Sequence, residues 1–129
     1  MSETGPGHLR VLYVDDEEDI RTIVEMALAL DGRIECRTAE SAKAAKAMLA
    51  SGWLPDLALL DMMMPVTDGR QLLAELRNDP ATAGLPVGLV TAGTAEAEAV
   101  EGIAGVITKP FDPLSLAGRV RAMAPAGQG

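Results

Sequence analysis

Three carboxylates, one hydroxyl and one ammonium each follow a short apolar run in this sequence of 129 residues. Asp15 and Asp16 come directly after Val11-Leu12-Tyr13-Val14, Asp61 after Leu57-Ala58-Leu59-Leu60, Thr91 after Val87-Gly88-Leu89-Val90, and Lys109 after Val106-Ile107-Thr108. Taken singly, each has a plain structural explanation. The acidic run Asp15 to Asp19 suits the positive end of a helix dipole, Asp61 a turn, Thr91 a cap and Lys109 a solvated surface. Taken together they ask for more. Two carboxylates about 5 Å apart, at an effective dielectric of about 20, repel by roughly 3 kcal/mol, so a cation is expected among them. The donor set is all oxygen, without His or Cys, which favours a hard ion. Mg²⁺ fits best, because it keeps several waters and needs only one or two carboxylates plus phosphate oxygens. His8, the only histidine, lies in a Gly/Pro-bearing tail and makes a poor ligand.

These groups meet only if the elements carrying them run side by side. Apolar runs alternate with amphipathic stretches along the chain. Strands are predicted at Arg10 to Val14, Arg33 to Thr38, Leu57 to Leu60, Val87 to Val90 and Val106 to Thr108. Helices are predicted at Glu18 to Leu30, Ser41 to Ala50, Arg70 to Asn78, Thr94 to Glu101 and Leu114 to Ala124. In the first helix Ile20, Ile23, Val24, Ala27, Leu28 and Leu30 recur at helical spacing, and Asp31-Gly32 ends it. Glu40 or Ser41 caps the second. The uninterrupted apolar run before Asp61 suits a central strand covered on both faces. Strict alternation implies right-handed βαβ crossovers and a parallel sheet with helices on both sides, an α/β doubly wound fold. Ligands of such sheets sit at the carboxyl ends of the strands, where the polar residues named above fall.

Composition narrows the function classes. The formal charge of −8, from 11 basic and 19 acidic residues, argues against a general affinity for nucleic acid or anionic membrane. With 2% aromatic residues there is little to stack bases on. A single cysteine, Cys36, allows no disulfide framework and no CxxC zinc site. No apolar run approaches the roughly 18 residues of a membrane span, so a cytoplasmic location is expected. The length fits one domain, with tails at residues 1–8 and 125–129 around a domain at 9–124.

In this order the motifs resemble those of the response-regulator receiver domain of two-component signalling. They are Val14-Asp15-Asp16-Glu17, Leu60-Asp61-Met62-Met63-Met64-Pro65 with Asp68-Gly69, Thr91-Ala92 and Thr108-Lys109-Pro110-Phe111. The resemblance implies a five-stranded sheet of order 2-1-3-4-5 with five helices. It also implies that Asp61 takes a phosphoryl group from a phosphohistidine on a sensor histidine kinase or histidine phosphotransfer protein. Asp16 and Asp61 would bind Mg²⁺ directly with the backbone carbonyl of Met63, and Asp15 would act through a metal-bound water. Lys109 would meet a phosphoryl oxygen, Thr91 would turn its hydroxyl toward another, and Ala92 would leave room for the donor. The Lys109-Pro110 bond is cis in the family. Kinase docking in the family suggests Ile20, Pro110 and Phe111 as contacts.

Two features depart from the family pattern. The switch position three before Lys109, usually Tyr or Phe, is Val106, and the Thr91 to Lys109 interval is about one helical turn short, which would truncate the fourth helix. The expectation is a domain that accepts phosphate normally but signals through another surface or as a phosphate carrier. Carboxylate crowding further predicts that, without Mg²⁺, Asp15→Asn or Asp16→Asn stabilises the fold. Met62 to Met64 read as apolar filling rather than a soft-metal cluster, Trp53 as packed on helix two or three, and Cys36 as a buried small hydrophobe. Two rivals remain: an Asp-nucleophile, Mg²⁺-dependent phosphatase-like enzyme, disfavoured by Met63 two residues after Asp61, and a partner-binding pseudo-receiver that is never phosphorylated.

Overall fold

The computed structural model describes residues 8–64, 69–93, 100 and 102–124. Five strands carry the domain: β1 (Leu9–Val14), β2 (Ile34–Ala39), β3 (Leu57–Asp61), β4 (Val87–Thr91) and β5 (Gly105–Thr108). They form one sheet in the order β2-β1-β3-β4-β5, every pair parallel. Four α-helices lie among the described residues: α1 (Glu18–Ala29), α2 (Ala42–Ala50), α3 (Gly69–Asn78) and α4 (Leu116–Met123), the last preceded by a 3₁₀ turn at Pro113–Ser115. The helix expected at Thr94 to Glu101 falls almost wholly outside the described residues.

Alternation along the strands sorts the core into two layers, since successive side chains point to opposite faces. Leu12, Val14, Ala58, Leu60 and Leu89 pack with Ala45 and Leu49 of α2 and Leu72, Leu73 and Leu76 of α3. Leu9, Val11, Tyr13, Leu59, Val90 and Ile107 pack on the other side with Val24 and Leu28 of α1 and Leu116 and Val120 of α4. All of β3 and β4 is buried, which is why these segments read as unbroken apolar runs.

Local signals explain most of the helix ends. Ser41 rather than Glu40 caps α2, its Oγ accepting from the Ala44 N–H at 3.0 Å. Glu18 and Asp19 occupy the first turn of α1, where the helix dipole favours negative charge. Ile23 and Leu30, apolar residues of the same periodic stretch, are exposed. A helix lying on a sheet buries one stripe, here Val24, Ala27 and Leu28, and Leu30 lies beyond the last helical residue. Leu114 is likewise exposed because it sits in the 3₁₀ turn before α4 starts.

Trp53 is buried with the α2 and α3 side of the core. Its indole N–H donates to Glu35 Oε2 at 3.2 Å, and the Arg37 guanidinium stands 4.6 Å from the ring centroid. Cys36 is only half-buried, not fully so, because β2 is an edge strand. Burial pushes its thiol up to about 12, with the Glu25 charge adding to the effect.

Candidate functional site

The sheet's hydrogen-bond ladder runs past the strand ends and fixes the residues there. Asp15 N–H donates to Ala39 O at 3.1 Å, Met62 N–H to Val90 O at 2.9 Å, and Lys109 N–H to Thr91 O at 2.8 Å. Because all strands are parallel, these ends share one edge. One oxygen from each of Asp15, Asp16 and Asp61 lies within 4.8 Å of the others. Asp15 and Asp61 are buried, at 0% and 3% exposure, whereas Asp16 is exposed. Gly69 begins α3 so close to the site that a Cβ there would stand 2.6 Å from the Asp61 carbonyl oxygen.

Lys109 supplies the cation. Its Nζ lies 3.0 Å from Asp15 Oδ2, 3.3 Å from Glu17 Oε1 and 3.5 Å from Asp61 Oδ2. The Lys109-Pro110 peptide bond is cis. Asp15 Oδ1 accepts from the Glu17 N–H at 3.0 Å, and Asp15 Oδ2 accepts from the Tyr13 hydroxyl at 2.7 Å. Among the described residues, Asp61 Oδ1 accepts the weaker Met63 N–H, at 3.2 Å.

The two buried carboxyls are displaced in opposite directions. Burial opposes the Asp15 charge, but the Glu17 N–H, the Tyr13 hydroxyl and Lys109 outweigh it and hold Asp15 below the ordinary carboxylate value. Burial pushes Asp61 up to about 6, the Asp15 charge adds to this, and the Met63 N–H and Lys109 offset only part. Burial likewise opposes the charge of Lys109, yet Asp15, Asp61 and Glu17 keep it above the usual lysine value. A buried carboxylate with too little positive charge beside an exposed third carboxylate is a donor set that fits a hard divalent cation.

Residues 11–121 match the family described as the response regulator receiver domain. The chain belongs to that family. It is 38% identical over 117 residues to the phosphate regulon transcriptional regulatory protein PhoB of Pseudomonas aeruginosa, covering 88% of this chain and 50% of that protein. It is 37% identical over 118 residues to the response regulator PleD of Caulobacter vibrioides, covering 88% and 26%. The receiver thus spans half or less of the length of these relatives. Among solved structures it resembles the chemotaxis response regulator CheY4 of Vibrio cholerae, with TM-score 0.78, 28% identity and coverage of 90% and 98%. It also resembles the N-terminal domain of a response regulator receiver protein from Methanoculleus marisnigri, with TM-score 0.73, 32% identity and coverage of 88% and 94%. The phosphoacceptor signalling role belongs to the family.

The receiver's other expected residues fall at several places around this edge. Thr91 is buried, and its hydroxyl donates to Gly93 O at 2.9 Å while accepting from Gly93 N–H at 3.1 Å, so it closes its own loop. Ala92 is exposed. Ile20 and Phe111 are half-buried against the α1 and α4 side of the core, and Pro110 is exposed. Val106 is half-buried against the opposite side, its carbonyl accepting from Arg119 Nη2 at 3.0 Å. Of the three methionines, Met62 and Met64 are filling, but Met63 is 73% exposed. Pro65 and Asp68 lie outside the described residues.

Asp15→Asn was expected to relieve repulsion, and the geometry reverses that expectation. Asp15 is paired with a cation and two hydrogen-bond donors, so the crowding falls on Asp61 instead. Three contacts escaped sequence reasoning: the Tyr13 hydroxyl on Asp15, the Glu17 carboxylate on Lys109, and Arg21 Nη1 donating to Asp15 O at 2.8 Å. Only the first had a legible signal. Residues two apart on a strand share a face, which puts Tyr13 beside Asp15.

Proposed function

We propose that Asp61 is the phosphoacceptor of this receiver, taking a phosphoryl group from the phosphohistidine of a histidine kinase or phosphotransfer protein. The observation that carries this reading is the placement of the Asp61 carboxylate 3.5 Å from the Lys109 ammonium and within one oxygen cluster with Asp15 and Asp16. A carboxylate oxygen of Asp61 forms the new O–P bond as the P–N bond to the donor imidazole breaks. An anion attacking an anionic group needs alignment and charge neutralisation more than it needs a base. Asp16 and Asp61, with the Met63 carbonyl, would hold Mg²⁺ directly, and Asp15 through water. The ion would supply the positive charge that this carboxylate set lacks. Lys109 then meets a phosphoryl oxygen, and Thr91 exchanges its Gly93 bonds for another. Ile20, Pro110 and Phe111 form the donor's docking contacts. No helix among the described residues is long and apolar enough to cross a membrane, and the reading is of a cytoplasmic domain at residues 9–124. Turnover is limited to self-phosphorylation from small donors and autodephosphorylation.

Incubation with a small phosphodonor and Mg²⁺ tests this directly. Stoichiometric labelling at Asp61, lost in Asp61→Asn, is expected. Continuous release of phosphate would mark a phosphatase-like enzyme, and no labelling a pseudo-receiver.

A second reading concerns output. Val106 supplies no ring to swing inward with Thr91, so phosphorylation signals through another surface or serves phosphate carriage. Beryllium fluoride with Mg²⁺ is expected to leave amide resonances across Thr94 to Thr108 little moved; large shifts there would overturn this.

A further inference from the structure

Asp15 has more partners than its place in an acidic pair requires. Its carboxylate is fully buried, Oδ1 holds the Glu17 N–H, and Oδ2 is shared by the Tyr13 hydroxyl at 2.7 Å and Lys109 Nζ at 3.0 Å. Tyr13 is itself 1% exposed, its ring locked among the residues beneath α1 and α4. Its hydroxyl therefore holds one position.

Lys109 is divided in contrast. An ammonium has three N–H donors, and three carboxylates stand within 3.5 Å of it. To meet a phosphoryl oxygen on Asp61, Lys109 must give up part of its present coordination. Glu17 is exposed and loses little, since water replaces the ammonium. The Asp15 side chain is buried, and a buried carboxylate left without its partners is costly. Neutral donors that stay in place keep it satisfied while the ammonium turns. The Glu17 N–H does so for Oδ1, and the Tyr13 hydroxyl for Oδ2.

We propose that Tyr13 is a positioning residue of the phosphoryl site: its hydroxyl anchors Asp15 Oδ2, releasing Lys109 to the phosphoryl oxygen and keeping Asp15 in one orientation toward a bound cation. This rests on the reading of Asp61 as acceptor and assigns a role to a residue outside the family's acidic, hydroxyl and lysine positions. It involves no covalent step at Tyr13.

Tyr13→Phe removes one oxygen and keeps the ring. Circular dichroism should match the parent. Phosphorylation of Asp61 by a small phosphodonor at saturating Mg²⁺ should slow about tenfold, the equivalent of one hydrogen bond. The Mg²⁺ dissociation constant, measured by calorimetry without phosphodonor, should rise severalfold, because Asp15 then leans on Lys109. A rate within twofold of the parent overturns the proposal. Because Tyr13 is the chain's one tyrosine, global incorporation of 3-fluorotyrosine labels it alone. Its ¹⁹F resonance should move on adding Mg²⁺ and again with beryllium fluoride. Should Tyr13→Phe fail to fold, an unmoved ¹⁹F resonance overturns the proposal instead. Failure of the acceptor reading is separate, since it shows as absent labelling in the parent protein.

Discussion

Asp15 and Asp61 share the Lys109 ammonium, at 3.0 and 3.5 Å, yet their carboxyls are displaced in opposite directions. Among the described residues, Asp15 has two hydrogen-bond donors besides the lysine, whereas Asp61 has one backbone N–H and the Asp15 charge against it. The better-paired Asp15 keeps its charge, and Asp61 is left underneutralised.

The pH dependence of the metal-free protein should show this. A carboxyl raised from 3.8 to about 6 in the fold contributes stability that is present below about pH 4 and lost as pH rises through about 6. Asp61→Asn removes that loss. In chelator, the variant should be more stable than the parent at pH 8, by on the order of 2–3 kcal/mol, and gain nothing at pH 4. Urea melts at both pH values measure it.

Asp15→Asn should do the reverse. The folded carboxyl is held below its ordinary value, so its stability contribution is present at neutral pH and lost as pH falls through the acid range. Replacing it leaves Lys109 without its nearest anion. A loss of roughly 1–3 kcal/mol at pH 7 is expected in chelator, measured by thermal melting.

Gly69→Ala probes the loop side of the site. The added Cβ meets backbone, with Asp61 O at 2.6 Å and Met62 Cα at 3.1 Å, so no side chain can swing aside. Overpacking of this kind costs about 1–3 kcal/mol. If Asp61 accepts phosphate, the variant should also label more slowly there, because α3 or β3 must shift; equilibrium unfolding and phosphodonor labelling check both.

Magnesium should stabilise the parent. A ligand of the folded state alone, at about 100 times its dissociation constant, adds roughly 2.7 kcal/mol. Asp61→Asn should lose most of that gain, and differential scanning calorimetry with and without Mg²⁺ reads it.

Much of this molecule was legible before its structure. Apolar runs ending in Asp15, Asp61, Thr91 and Lys109 alternate with amphipathic stretches, and such periodicity is written locally in the chain. That was enough to place the chemistry at the strand ends, and the motifs themselves pointed to the receiver family. Where α1 buries only a narrow stripe, local periodicity overreached, and Ile23 and Leu30 face outward.

Tertiary structure alone decided how the acidic groups differ. Adjacent in the chain, Asp15 and Asp16 look alike, but one is sealed beneath Lys109 and the other is exposed. Charge state follows from distances across β1, β3 and β5, elements separated by dozens of residues, and from which neighbours exclude water. No local pattern encodes those distances. The sequence by itself determined which groups are brought to the sheet's edge; the packing decided which of them is satisfied, which is underneutralised, and that Tyr13 stands behind the first.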